Sequence, residues 1–518
     1  MLCVHPPVCN FGQPYLCRSM DSSLPTSGTI TPSREHNSRQ PILSLPTELL
    51  SEIFSLPVPI FAQPAPQHGP RGTEWTISEY KKYRLTLAST CSKFMFVIQN
   101  TPRCWTFVDV RLISDRTKGV TSSNALQSRL ERSYPLAFDL VIGLLLPRDA
   151  DVLHYHEPYD VLHMILEPHL PRCRSISLLS NIRQLDSLRY LIGGVELPHL
   201  LHISYHWYNV VVDNNNLVLS ILPTTKRLPP LLSLSIRDYV ENPLPTISID
   251  LPLSCLASLT RLSLTGWFSA GRVITLLKEC LALQHLLWRG SHVQREEYYE
   301  GTPLIFPHLR SLSLFAHPMY FLPPIEAPLL EDIQFGRPSD AFGRPCFLLR
   351  SDQPTLPALR RVMWLELVHD VDAIAPFFRR HPFLEEIVLK RCQFKHLEVA
   401  LNALFNLPEA AANFNGGNPY LKRLGIYPPH SARLRIKDRG IPLDDDQVLA
   451  TLLQSVNRLG AADLEICLPP LLKGRPGMLP DEEQWPKTAA LCEQYPERFF
   501  RRQEPHWDYI EIGPKFIL

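Results

Sequence analysis

A six-residue unit, apolar-x-x-apolar-x-apolar, recurs through the middle of this 518-residue chain and restricts its fold more tightly than any other feature. It reads Cys173-Ile176-Leu178, Leu200-Ile203-Tyr205, Leu231-Leu234-Ile236, Leu259-Leu262-Leu264 and Leu283-Leu286-Trp288. It continues as Leu309-Leu312-Leu314, Leu330-Ile333-Phe335, Leu359-Val362-Trp364, Leu384-Ile387-Leu389 and Leu421-Leu424-Ile426. Successive units start 27, 31, 28, 24, 26, 21, 29, 25 and 37 residues apart. In x-Leu-x-Leu, alternate side chains point to one face of a strand. One such strand cannot bury that face alone, whereas stacked copies bury a continuous core. Turn signals such as Phe306-Pro307-His308, Ala327-Pro328 and Asn418-Pro419 precede the units. Helical patterns return the chain between them: Val273-Leu276-Leu277-Cys280, Ile374-Phe377-Phe378, Leu397-Leu401-Leu404 and Val448-Leu452-Leu453-Val456. Strand then helix at this period predicts an α/β fold, a curved stack with parallel inner strands. PLAFDLVI (135–142) is expected to open the stack and Ala461-Leu464-Ile466 to close it. An ordinary α/β sheet is the alternative, and it predicts no fixed register of apolar triplets.

Composition narrows the function classes. Apolar residues make up 45% of the chain, enough for a sizeable core. The net charge is +1, from 52 basic and 51 acidic residues, which argues against nucleic acid or an anionic membrane as the partner. The 50 prolines against 22 glycines suggest many short elements ended by rigid turns. The 12 cysteines form no C-x-x-C, so neither a zinc framework nor a disulfide scaffold is indicated. Free thiols in a reducing compartment, cytoplasm or nucleus, are expected. The longest apolar candidate, PLAFDLVIGLLLP, is too short to span a bilayer and carries Asp139. No secretory signal is expected. Residues 1–40, rich in Ser, Thr and Pro, read as a disordered tail in which Met20 offers an alternative start.

Near the N-terminus, Pro46 sits where a first helical turn tolerates proline. Leu49, Ile53 and Leu56 follow at i, i+4, i+7, with Leu50 and Phe54 as a second stripe beside them. Two apolar stripes on one short helix imply two things to bury against. A second helical period runs through Leu85, Leu87, Cys91, Phe94 and Ile98, stops at Thr101-Pro102, and is followed by Trp105. The arrangement L-P-x-E-L-L-x-x-I-F, then S-x-C-S-K-F, then P-x-x-W, resembles the F-box over residues 41–112. It departs from the tighter family pattern in a Pro-rich insert, 57–76, which reads as an exposed loop. The repeats resemble leucine-rich repeats, whose period is roughly 20–29 residues, though the asparagine usual there is mostly missing. SNALQSRLERSYPLAFDLVI looks like the junction at which such proteins enter the first strand. The layout as a whole is similar to fungal F-box/LRR substrate receptors.

That resemblance implies a short all-helical F-box, then an irregular leucine-rich-repeat solenoid over 113–470, then a C-terminal cap over 471–518 containing Trp485, Leu491, Phe499, Phe500 and Trp507. It implies docking onto the Skp adaptor of a cullin-RING ubiquitin ligase, no cofactor and no catalysis. The implied adaptor residues are Leu45, Pro46, Leu49, Ile53, Phe54, Leu87, Cys91, Phe94 and Trp105. A leucine-rich-repeat scaffold unconnected with ubiquitination is the alternative.

No catalytic constellation is evident. Gly266-Trp267-Phe268-Ser269-Ala270-Gly271 is not a nucleophile elbow. His154, His156, Glu157 and His163 lack the spacings of a zinc site and are interrupted by Pro158. His202 and His206 are expected on a strand and the turn after it. Asp444-Asp445-Asp446 precedes a helix, whose N-terminus favours carboxylates without any cation. The x positions of the strands are expected on the concave side, among them Arg261, His285, Arg310, Arg360, Arg361, Glu385, Glu386, Lys422 and Arg423. Arg360/Arg361 should adjoin Glu385/Glu386. A cross-strand charge ladder accounts for them. The functional reading is a mixed-charge groove for a protein target, with Arg310, Arg360, Arg361, Glu385, Glu386 and Arg423 as contacts.

Overall fold

The computed structural model describes residues 40–56, 77–113, 122–145, 156–182, 195–211, 218–220, 231–238, 248–250, 253–266, 270–290, 302–315, 322–336, 353–365, 371–390, 420–427, 464–468 and 486–501, with isolated positions at 268, 397–404 and 449–457. The expected tail, the Pro-rich insert, His154, the Asp444–Asp446 run, Trp485 and Trp507 lie outside these residues. Contacts divide the chain into Met1–Ile53 and Phe54–Leu518, so the boundary falls inside α1 (Thr47–Ser55). The smaller unit holds a helical turn, Pro41–Ser44, with proline at its start, and most of α1, whose first turn carries Glu48.

The larger unit begins with α2 (Ile77–Thr90) and α3 (Ser92–Asn100). The sequence pattern suggested one helix through 85–98, but the chain breaks at Cys91. Ser89 and Thr90 return their hydroxyls to the Thr86 carbonyl. Cys91 turns extended (φ −160, ψ 164), and its Sγ accepts the Phe94 N–H at 3.5 Å as an N-cap. A run of Ser, Thr and Cys offers the backbone these local partners, which apolar periodicity does not register.

Besides two short two-stranded pairs, 218–220 with 248–250 and 304–305 with 325–326, the described residues form one sheet of fourteen strands, all parallel and paired in chain order. They are β1 (Phe107–Ile113), β2 (Phe138–Leu145), β3 (Cys173–Ile182), β4 (His202–Val211), β5 (Ser233–Asp238), β6 (Arg261–Thr265) and β7 (His285–Arg289). They continue as β8 (Ser311–Phe315), β9 (Asp332–Gly336), β10 (Arg361–Leu365), β11 (Glu386–Lys390), β12 (Arg423–Tyr427), β13 (Glu465–Leu468) and β14 (Phe499–Arg501). Pairing is in register: Leu262, Leu286, Leu312, Ile333, Val362, Ile387, Leu424 and Ile466 stand side by side across β6–β13. All ten apolar triplets are buried and join one continuous core.

The sheet begins and ends outside the expected limits. Its first strand is Phe107–Ile113, not 135–142, because Val108 and Val110 already alternate inward. Phe138–Leu145 is the second strand. Near the other end, β13 points Ile466 and Leu468 inward, whereas Ala461-Leu464-Ile466 was expected. A period-two pattern can slide by two residues without changing which face is apolar. Phe499–Arg501, placed by sequence in the cap, pairs with β13 as a strand of the same sheet.

Between strands, α4 (Ser123–Arg132) is N-capped by Ser122 and buries Leu126 and Leu130. α5 (His156–Leu166) buries Leu162 and Leu166. α6 (Ala270–Glu279) buries Val273, Ile274, Leu276 and Leu277. α7 (Val371–Arg380) sets Phe377 and Phe378 edge-on to Trp364, at 5.3 and 5.4 Å between ring centroids. Leu397, Leu401, Leu404, Leu449, Leu453 and Val456 are helical and buried. α8 (Pro486–Gln494) buries Leu491 and Cys492 before β14.

Candidate functional site

Of the adaptor residues drawn from the F-box resemblance, those in the smaller unit are largely accessible. On α1, Leu49 is 51% and Ile53 39% exposed; Pro46 is exposed and Leu45 half-buried, while Leu50 is fully buried. A helix that leaves Leu and Ile open at i, i+4 carries apolar surface in excess of its own packing.

The residues in the larger unit divide differently. Phe54 and Phe94, both of the larger unit, are buried, their rings edge-on at 4.9 Å. The ring that α3 presents to solvent is Phe96, 60% exposed and two positions on, with Met95 beside it. Leu87 and Cys91 are half-buried. Trp105 is also half-buried. Its Nε1 donates to the Ile98 carbonyl at 2.8 Å, and its ring lies 4.3 and 4.7 Å from the Arg84 and Arg132 guanidiniums. Phe96 could have been read from the sequence, since a buried Phe94 puts the i+2 residue on the far side of a helix.

The second candidate lies at the start of β8–β13. After the first leucine of each triplet come Arg310, then Glu331-Asp332, Arg360-Arg361, Glu385-Glu386 and Lys422-Arg423; Glu465 follows Leu464. Register sets Asp332 beside Arg361, Arg361 beside Glu386, Glu386 beside Arg423 and Arg423 beside Glu465. Each strand therefore carries one sign and its neighbours the other. The backbone fixes this geometry: the carbonyls of Arg310, Glu331, Arg360 and Glu385 each accept two N–H groups from the corresponding pair on the next strand. The expected adjacency of Arg360/Arg361 and Glu385/Glu386 is present. Glu331, Asp332 and Glu465 complete the pattern and were missed, although the Leu-x-x spacing marks them.

The side chains pair across the strands. Arg310 meets Glu331 at 2.9 Å, Lys422 meets Glu385 at 2.8 Å, and Arg360 meets Glu385 at 3.7 Å. Arg423 bridges Glu386 at 3.4 Å and Glu465 at 3.3 Å, and Arg361 grips Asp332 with two N–H groups. Burial alone would lower the pKa of Arg423, but Glu386 and Glu465 outweigh it and raise the value. Most of these charges face water: Lys422 is 72%, Arg310 55% and Glu385 40% exposed at the side chain. Glu331, Arg360, Arg361, Glu385, Glu386, Lys422, Arg423 and Glu465 line a groove of about 680 Å³. Beside it, Phe383 and Tyr420 are exposed with rings 5.1 Å apart, and the Arg360 guanidinium lies 5.7 Å from the Phe383 ring. Farther along the same strands, Met363, Val388, Tyr427 and Cys467 form a small apolar cluster.

Across β3–β8 much of the same face of the sheet is closed. His202 and His206 both lie on β4, which runs on to Val211, so the expected turn after His202 is strand. Burial, with Arg261 and Arg174 nearby, pushes His202 down to about 4; burial, with Arg237 nearby, pushes His206 to about 3. His206 shares a 2.7 Å hydrogen bond with Ser204. Arg261, expected on the solvent side, is 8% exposed.

Among the described residues, no cluster of His, Cys, Asp or Glu could hold a metal ion, and no helix is long and apolar enough to cross a membrane. Comparison of the sequence with protein-family models and with curated proteins yields no match.

Proposed function

We propose that this chain is the substrate-recognition subunit of an Skp–cullin–F-box ubiquitin ligase. In this reading the N-terminal helices dock the Skp adaptor, and the parallel sheet is the inner wall of an irregular leucine-rich-repeat solenoid that holds a protein target. The chain's own contribution is recognition: tethering target and ubiquitin-loading machinery to one chain raises their effective concentration. The observation that carries the reading is α1. Its L-P-x-E-L-L-x-x-I-F sequence matches the F-box pattern residue by residue, and Leu49 and Ile53 stand exposed on it. Cytoplasm or nucleus is the compartment in which such a ligase works, with no nucleic-acid or membrane partner.

The test is co-purification of the full-length chain with the Skp adaptor. Interface energy concentrates in a few apolar or aromatic anchors, each worth about 2 kcal/mol or more on truncation. Leu49→Ala with Ile53→Ala should therefore weaken adaptor binding at least about a hundredfold. The fold should survive, since both side chains are exposed. Wild-type protein that never recovers the adaptor, or a double mutant that recovers it fully, leaves the alternative: a leucine-rich-repeat scaffold outside ubiquitination.

A further inference from the structure

We infer that the charge-striped groove over β9–β13 takes an α-helix of the target whose successive turns carry charges of alternating sign. The inference rests on the sheet being the recognition half of the receptor proposed above, but not on adaptor docking.

The lining residues decide the sign of the partner. Four acids, Glu331, Glu385, Glu386 and Glu465, face four bases, Arg360, Arg361, Lys422 and Arg423. A polyanion, such as nucleic acid or a multiply phosphorylated peptide, meets like charge on every second strand. A polybasic segment does the same. Only a partner that brings both signs in alternation is complementary along the groove, and like-charge juxtaposition is what suppresses wrong partners.

The spacing decides its conformation. Neighbouring strands lie about 4.8 Å apart, so the sign changes at that interval. On one face of an α-helix, successive turns are about 5.4 Å apart. Over the four intervals from Glu331-Asp332 to Glu465 the mismatch accumulates to only about 2.4 Å, which long Lys, Arg and Glu side chains absorb. In an extended segment, same-face side chains recur about every 6.7 Å and fall out of phase after two steps. Exposed ion pairs contribute little to stability, so exchanging intramolecular partners for those of a helix carries a small penalty. Phe383 and Tyr420, open beside the stripes, supply an aromatic anchor of the kind on which interface energy concentrates.

The probes are labelled synthetic helices of about five turns, binding full-length protein by fluorescence anisotropy. One alternates Glu and Lys turn by turn along a face. A second has the same composition with Glu and Lys segregated to opposite ends, and a third carries a central proline. The alternating helix should bind at least about tenfold more tightly than either control, and the preference should shrink at high salt. Glu385→Gln with Lys422→Gln should weaken it about tenfold, as should Phe383→Ser with Tyr420→Ser. All four residues are at least two-fifths exposed, so the variants should fold, which a thermal melt checks. No binding of the alternating helix, equal binding of the segregated helix, or indifference to both variants overturns the inference and leaves adaptor docking standing. Helix discrimination without adaptor recovery defeats the ligase reading and leaves this one.

Discussion

His381 should make the fold acid-sensitive in a way that a single substitution can isolate. It follows α7, is 3% exposed, and its ring lies 4.5 Å from that of Phe377. Nδ1 is 2.9 Å from the Phe377 carbonyl and Nε2 accepts the Leu356 N–H at 3.3 Å. That pair of partners suits the neutral ring with its proton on Nδ1; a second proton on Nε2 would face another donor. Burial pushes the pKa down to about 4 from 6.5, with the Phe377 bond opposing and Arg380 adding to the fall. Between these values the unfolded chain binds more protons than the folded one. The stabilisation is therefore complete above about 6.5 and is lost as the pH falls toward 4. Linkage puts the loss at about 1 kcal/mol at pH 6 and about 2 kcal/mol at pH 5. His381→Gln keeps a donor and an acceptor but does not titrate. Denaturant unfolding of both proteins from pH 7.5 to 5 should show the wild type losing stability to the variant by about these amounts. A stability difference that stays constant across this range would refute the assignment of a neutral, hydrogen-bonded His381.

Three further sets of substitutions probe the packing of the sheet. Reversing one stripe, Glu385→Lys with Glu386→Lys, turns three contacts repulsive and should cost about 1–3 kcal/mol at low salt, with much of it regained at high salt. Arg174 pairs with Asp139 at 2.6 Å, and Asp139 is 1% exposed. Arg174→Ala leaves a carboxylate buried and should cost about 3 kcal/mol or more, while Arg174→Gln with Asp139→Asn should cost clearly less. A Cβ at Gly336 would fall 1.8 Å from the Phe315 ring. Gly336→Ala should therefore cost about 1–3 kcal/mol in unfolding experiments, and adding Phe315→Ala should recover part of it.

How far the sequence reveals this fold depends on which physical signal each part carries. The ten triplets were legible because alternation with period two, repeated at a near-constant interval, is hard to satisfy except by stacked strands that share one core. The end strands were not. β1 runs directly on from the 3₁₀ turn Pro102–Trp105, and most of its residues fell within the 41–112 given to the F-box. The break at Cys91 was hidden because a side-chain cap interrupts a helix without interrupting its apolar period. For the stripes, the triplet register fixes which residues lie side by side. Arg361 beside Glu386 followed from that register, and Asp332 and Glu465 would have followed from the same count. Burial on the polar face was not legible. A serine or histidine at an x position reads as solvent-facing, yet His202 is 8% and Ser263 0% exposed.

The two stretches of that face differ in what they can recognise. Over β3–β8 its serines and histidines are mostly closed off, His202 and His206 are held neutral, and the hydroxyls of Ser233, Ser235, Ser263 and Ser313 find no hydrogen-bond partner within the chain. A partner cannot distinguish residues it cannot reach. Over β9–β13 the strand starts are charged and paired laterally, and the outer pairs, Arg310–Glu331, Arg360–Glu385 and Lys422–Glu385, are of the exposed kind that a competing ion can replace. Recognition by this sheet therefore belongs to the strands between Arg310 and Glu465. The interior serine and histidine positions are buried within the strands that lead up to it. Substitutions there should alter stability with little effect on which helix is bound, whereas Glu385 and Lys422 should alter the choice of helix with little effect on stability.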